Sequence, residues 1–167
     1  VYLHGNPGEA NNNKLILGGN TIERHYFPTT ITCPPSATVY IGEKGTVWAM
    51  GSWNTSVHKN IPQMIPKLEK IIEISSGRNH LLALQEGGNV FFWGTPHKDI
   101  GFIDVNKITI PTLIHNIPPM KAISCGFSFS AMISRDNSLW CFGKIFQNQG
   151  IQNEVQGAKI IRCGMNF

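Results

Sequence analysis

IIEISSGRNHLLALQEGGNVFFWG, residues 71–94, decides the fold. It reads as an apolar strand ending at Gly77, a second apolar strand His80-Leu81-Leu82-Ala83-Leu84, a turn Glu86-Gly87-Gly88-Asn89, and an aromatic strand Val90-Phe91-Phe92-Trp93 closed by Gly94. β-Branched and aromatic residues suit a pleated, half-buried surface. Glycine and asparagine tolerate the positive φ that tight hairpin turns require. The stretch therefore contains a β-hairpin with one further strand ahead of it.

The same pattern recurs along the chain. Val1-Tyr2-Leu3-His4-Gly5, Val47-Trp48-Ala49-Met50-Gly51 and Leu139-Trp140-Cys141-Phe142-Gly143 repeat the aromatic strand, and the four terminal glycines are spaced 46, 43 and 49 residues apart. Lys121-Ala122-Ile123-Ser124-Cys125-Gly126 repeats the leading strand, and Lys159-Ile160-Ile161-Arg162-Cys163-Gly164 begins another copy. Phe129-Ser130-Ala131-Met132-Ile133 and, more loosely, Ala37-Thr38-Val39-Tyr40-Ile41 repeat the second strand, each followed by a turn: Arg135-Asp136-Asn137-Ser138 and Gly42-Glu43-Lys44-Gly45. A short stretch led by proline, Pro62-Gln63-Met64-Ile65 or Pro111-Thr112-Leu113-Ile114, follows a polar loop and gives a fourth strand.

Four antiparallel strands in about 46 residues cannot cover both of their own faces, so copies must stack, and radial stacking makes a propeller. The expected fold is all-β: a partial β-propeller of three to four four-stranded blades. The units fall at about 1–27 (incomplete), 28–69, 70–118, 119–157 and 158–167 (incomplete), within one partial propeller domain.

Gly77, His80, Leu82, Leu84, Gly88, Val90, Phe91, Trp93 and Gly94, with Ile100-Gly101 beyond them, resemble the repeat of the regulator of chromosome condensation family. The outer copies depart from it. Pro34 stands where Gly77 and Gly126 stand, Phe129 replaces the repeat histidine, and His4, Met50 and Phe142 take the place of Trp93. The forty-residue propeller repeat ending in Trp-Asp is disfavoured because no such pair occurs, and the Gly18-Gly19 and Gly87-Gly88 doublets are out of register for kelch repeats. The resemblance implies a seven-bladed ring, which at this period takes roughly 320 residues. The 167 residues are half of one, and the chain, opening at Val1, reads as an excerpt whose remaining blades come from the same polypeptide.

Composition agrees with many strands joined by many turns. Charged residues are 14% of the chain, below the roughly 25% of ordinary soluble domains. The net charge of +4 comes from scattered side chains such as Lys44, Lys98, Lys107 and Arg135, so no basic stripe points to nucleic acid or chromatin. No apolar run approaches the ~18 residues of a membrane span.

Chemistry-bearing residues have structural readings. Cys33, Cys125 and Cys163 share one repeat position, held by Ser76 in the best copy, and without a C-x-x-C spacing they read as small core residues; no metal is expected. His80 is expected to bond within its blade. His4, His25, His58, His97 and His115 share no spacing that would assemble a catalytic set, and Gly42–Gly45 lacks the spacing of a phosphate-binding loop. Asn54-Thr55-Ser56 fits a glycosylation acceptor, which matters only in a secreted protein. Neither a catalytic residue nor a cofactor is expected. Gly5, Gly51, Gly77, His80, Trp93, Gly94, Gly126, Gly143 and Gly164 are the structural repeat positions.

The polar loops after the blade glycines supply the candidate partner contacts: Trp53, Asn54 and His58; His97, Lys98 and Asp99; Phe146 and Gln147. Trp53 reads either as a partner anchor or as a cover for the blade edge. The segments of the plant ultraviolet-B photoreceptor, a member of the family, are absent. The resemblance implies two functions: a protein-binding module in a larger regulatory protein, like the family's propellers attached to kinase or ubiquitin ligase domains, or guanine-nucleotide exchange on a small GTPase, which founding members perform on Ran. It also implies a cytoplasmic protein, with the nucleus as the alternative.

Overall fold

The computed structural model describes residues 14–17, 20–23, 30–35, 37–51, 61–94, 108–143, 150–152 and 157–164. Three four-stranded antiparallel sheets follow one another in sequence. The first contains β3 (Ile31–Thr32), β4 (Ala37–Ile41), β5 (Val47–Gly51) and β6 (Gln63–Ile65). The second contains β7 (Ile71–Ser76), β8 (His80–Gln85), β9 (Val90–Gly94) and β10 (Ile108–Leu113). The third contains β11 (Met120–Cys125), β12 (Phe129–Ser134), β13 (Leu139–Gly143) and β14 (Gly150–Gln152). Ahead of them β1 (Lys14–Leu17) and β2 (Asn20–Glu23) form a two-stranded ribbon. Each sheet is one propeller blade with its strands in chain order.

Turn chemistry works as the residues dictate. Gly87 and Gly88 have φ of +111° and +99°, and Lys44, Gly45 and Asn137 also adopt positive φ. The third hairpin has no glycine in its turn. There the Ser134 hydroxyl and the Ser138 amide both bond the Asp136 carboxylate, which closes the turn in their place.

The fourth strand of the second blade begins earlier than its proline suggests. β10 starts at Ile108 and pairs opposite Gly94, then shifts register before Thr112 meets Phe92. Pro111 lies in the irregular stretch of this edge strand, where its missing N–H breaks no regular ladder.

The core sits between blades. Leu81, Leu82, Ala83 and Leu84 are all at most 1% exposed although successive side chains of β8 point to opposite faces. Ala131, Met132 and Ile133 of β12 are buried on both faces in the same way. In β4 only Val39 and Ile41 are fully buried, while Thr38 before them and Tyr40 between them are half-buried. Burying a leucine is worth roughly 1.5–3 kcal/mol, so a sheet separated from its neighbours would lose several kcal/mol from β8 alone. That loss is comparable to the whole stability of an ordinary domain.

Backbone ties repeat at every junction. The amides of Lys70, Met120 and Ala158, where the next unit starts, donate to the carbonyls of Lys44, Gly88 and Asn137 in the preceding hairpin turn, at 3.2, 2.9 and 3.2 Å. These contacts use no side chain, which is why they survive where the repeat sequence diverges.

Gly88 shows how closely the turn meets the next blade. A Cβ there would lie 2.7 Å from the Pro119 side chain and 2.9 Å from the Met120 amide, whereas one on Gly87 would meet nothing within 4 Å. Both glycines need positive φ, so alanine at either strains the backbone by about 1–3 kcal/mol. Gly88→Ala is expected to lose a further 1–3 kcal/mol, approximately, through overpacking of the junction. Denaturant titration of the two variants checks this, and equal losses would show that the turn does not bear on its neighbour.

Candidate functional site

Strand register places the loops. His80 pairs opposite Gly94, Phe129 opposite Gly143, and Ala37 opposite Gly51. The chain therefore leaves each aromatic strand at the same sheet end as the short connections 33–36, 77–79 and 126–128. One face of the propeller sector carries the short connections and the ends of the aromatic strands, and the hairpin turns occupy the other. Trp53, Asn54 and His58, His97, Lys98 and Asp99, and Phe146 and Gln147 all lie outside the described residues, as does Gly5.

Gly94 and Gly143 both have φ of +123° at this rim, and a Cβ on Gly94 would lie 2.3 Å from the Asn79 carbonyl. The repeat glycine is needed there because the first connection crosses directly over it. Gly77 is crowded instead by the ring of His80, 2.2 Å from its would-be Cβ, and by the Gly126 carbonyl at 2.4 Å. Gly126 meets the Phe129 ring and the Gly164 carbonyl in the same manner. Phe129 thus fills the place that His80 fills one blade earlier.

His80 is fully buried and stacks on Phe92, with ring centroids 5.8 Å apart. Its Nε2 lies 2.8 Å from the Ser130 hydroxyl of the next blade. The bond crosses a blade junction, whereas the sequence suggested a partner inside the blade. Ser130 donates onward to Cys125 Sγ at 3.7 Å, and the Cys125 thiol donates to the Ser75 carbonyl at 3.3 Å. The His80–Ser130 bond is the shortest of these contacts and joins the two blades directly.

Histidine, serine and cysteine in a line resemble a nucleophilic set, but all three side chains are buried between the blades. A nucleophile must be reached by its substrate. Burial also pushes the Cys125 thiol up to about 12, so it stays protonated at neutral pH. The line is a structural clasp between two blades.

A second clasp recurs with the repeat. Ser75 Oγ accepts from the Cys125 amide, and Ser124 Oγ accepts from the Cys163 amide, both at 2.9 Å. The Cys163 thiol donates to the Ser124 carbonyl at 3.4 Å, matching the Cys125 thiol on Ser75. At the first junction Thr32 Oγ1 and Ser76 Oγ are 2.5 Å apart, with serine in the cysteine slot. Cys125 and Cys163 therefore act as junction donors, but only Cys125 is a buried core residue: Cys163 is half-buried, and Cys33, expected in the core from its repeat position, is exposed. The signal that sequence reading missed is the hydroxyl residue immediately before each slot: Thr32, Ser75 and Ser124. Among the described residues no cluster of three or more His, Cys, Asp or Glu side chains could hold a metal.

Glu73 is the charged member of the junction. Its Oε2 accepts from the Ile123 amide at 3.2 Å. Burial pushes its carboxyl above the usual glutamate value, and the Ile123 bond and the Arg162 charge oppose that shift without cancelling it.

On the loop face, Arg78 donates its amide to the Phe127 carbonyl at 3.1 Å and lays its guanidinium over the Phe127 ring, 4.8 Å from the centroid. Arg78 is exposed and Phe127 half-buried. The sequence placed Arg78 only among scattered basic residues, because nothing local shows that Phe127, from the next repeat, lies beneath it.

Stacked four-stranded sheets with clasps between them define a β-propeller sector. The family model described as "Regulator of chromosome condensation (RCC1) repeat" matches residues 120–149, the core of the third blade. The human protein "Regulator of chromosome condensation" is 24% identical over 95% of this chain, in an alignment that covers 45% of that protein. A chain in the crystal structure of Kap60 bound to yeast RCC1 (Prp20) superposes with a TM-score of 0.65 at 18% identity, covering 84% of this chain and 40% of that one. Prp20p from Saccharomyces cerevisiae gives a TM-score of 0.58 at 15% identity, covering 72% of this chain and 34% of that one. The chain spans less than half the length of the curated relatives it matches. The resemblance read from the repeat is borne out: the fold is that of a partial propeller, residues 120–149 match the regulator of chromosome condensation repeat, and 95% of the chain is similar to that human protein.

Two predictions follow from the clasps. Ser130→Ala removes the buried hydroxyl bonded to His80 Nε2 and is expected to destabilise the protein by about 1–3 kcal/mol in denaturant titration, while an unchanged midpoint would mean that the bond is dispensable. Because its carboxyl is raised in the folded state, Glu73 favours folding while protonated. That contribution is complete below the ordinary glutamate range and is lost as pH rises through the folded value. Thermal midpoints of the Glu73→Gln variant across the acid range are expected to fall less with rising pH than those of the parent.

Proposed function

We propose that this chain is a non-enzymatic protein-interaction module of a larger regulatory protein. The observation that carries the reading is the division of labour between its polar groups. His80, Ser130, Cys125, Ser75 and Ser124 are taken up in clasps between blades, and the loop face presents Arg78 and Phe127 outward on a rigid scaffold. Rigid elements carrying exposed connections suit recognition, since little order is lost on docking.

Guanine-nucleotide exchange on a Ran-like small GTPase is the second reading. Its support is the likeness to the human regulator of chromosome condensation along nearly the whole chain, together with Prp20p, which was described with its binding properties to Gsp1p and histones. An exchange factor works by binding nucleotide-free GTPase more tightly than the loaded form, so it needs no acid or base of its own.

Nucleotide-release measurements with the full-length protein and a panel of Ran-like and Rab-like GTPases, run beside affinity capture, separate the two. The interaction module predicts a stable stoichiometric partner and release rates equal to those without the protein. Accelerated release from one GTPase would replace the first reading with the second.

A further inference from the structure

We propose that Arg78, held on Phe127, is a docking point for an acidic segment of a partner protein, a carboxylate side chain meeting the guanidinium edge. The inference rests on the interaction-module reading and names the chemistry that the loop face would recognise.

Arg78 is fixed from both ends. Its own connection is closed by the Gly77 amide on the His80 carbonyl at 2.9 Å, and its amide is tied across the junction to Phe127. Phe127 is held in turn by the Gly126 amide on the Phe129 carbonyl at 2.8 Å and flanked by the buried Ser128. The shelf is thus built from two blades, and the sector's rigidity positions it.

With its Cζ over the ring, 4.8 Å from the centroid, the guanidinium is held as a cation on an aromatic face, and its fork of N–H donors matches the two oxygens of a carboxylate. Stacking also removes side-chain freedom before the partner arrives, so less is lost on binding.

Electrostatics on this face are one-signed among the described residues. Glu43, Glu86 and Asp136 lie in the hairpin turns of the opposite face, Glu69 in the connection at that same end, and Glu73 inside a strand. Of the carboxylates whose side chains are described, none lies on the loop face to compete for Arg78. A phosphate backbone would be met by several cations spread along its track, and the described connections on this face carry Arg78 alone. One guanidinium beside one half-buried ring fits an acidic residue with an apolar neighbour.

The test uses the full-length protein, immobilised and probed with short synthetic peptides that pair Asp or Glu with Leu or Phe. Matched Asn and Gln peptides and a labelled DNA duplex serve as comparisons. Acidic peptides are expected to bind, with affinity falling about tenfold or more in Arg78→Gln and recovering only in part in Arg78→Lys. Phe127→Leu is expected to weaken the same peptides less, and thermal midpoints check that the variants remain folded. Equal binding by Arg78→Gln, equal binding of the neutral peptides, or preference for DNA with steep salt dependence would each overturn the proposal. If the partner captured by the parent is captured equally by Arg78→Gln, this docking point fails while the interaction module stands. Accelerated nucleotide release would overturn the module itself.

Discussion

Everything in this chain depends on covering both faces of sheets only four strands wide. β8 illustrates the constraint: four consecutive side chains, Leu81 to Leu84, point alternately to opposite faces, yet none is more than 1% exposed. No single blade can achieve this, so each blade completes its core with its neighbours. Blade and junction therefore form as one unit.

The clasps convert that general apolar attraction into a fixed register. Apolar packing is non-directional, and two sheets could slide by a residue with modest loss. The bonds from the Cys125 amide to Ser75, the Cys163 amide to Ser124 and between His80 and Ser130 are directional and wholly or partly buried, so slipping would strand donors and acceptors. Rigid alignment follows, and with it the common face at which the loops emerge. Function enters at this point, because a surface assembled from two blades, such as Arg78 on Phe127, persists only while the junction is locked.

The period, the hairpins and the blade architecture were legible because they are local. Aromatic strand and glycine, turn residues, and an apolar strand at a fixed lead are all readable within some twenty residues. Partners across junctions were not legible locally: His80 and Ser130, Ser75 and Cys125, and Glu73 and Ile123 are each fifty residues apart. The cysteine slot was seen as a repeat position, but its meaning needed the hydroxyl one residue earlier in the preceding copy. β10 misled for a different reason, since Pro111 signals a strand boundary in general and is tolerated here by an edge-strand irregularity. The contact residues chosen from the loops, Trp53 through Gln147, lie outside the described residues. Arg78 escaped notice because a lone arginine carries no signal until its stacking partner is known.

Hydrogen exchange in the full-length protein tests the interdependence of blades most directly. The amides of Arg78, Met120 and Cys125 each donate to an acceptor in the adjacent blade, and those of Leu82 and Ala83 lie within β8. If blades stand only together, both groups exchange through the same opening and show the same protection free energy. Junction amides that exchange rapidly while β8 stays protected would mean that single blades are stable alone, and the account would be wrong.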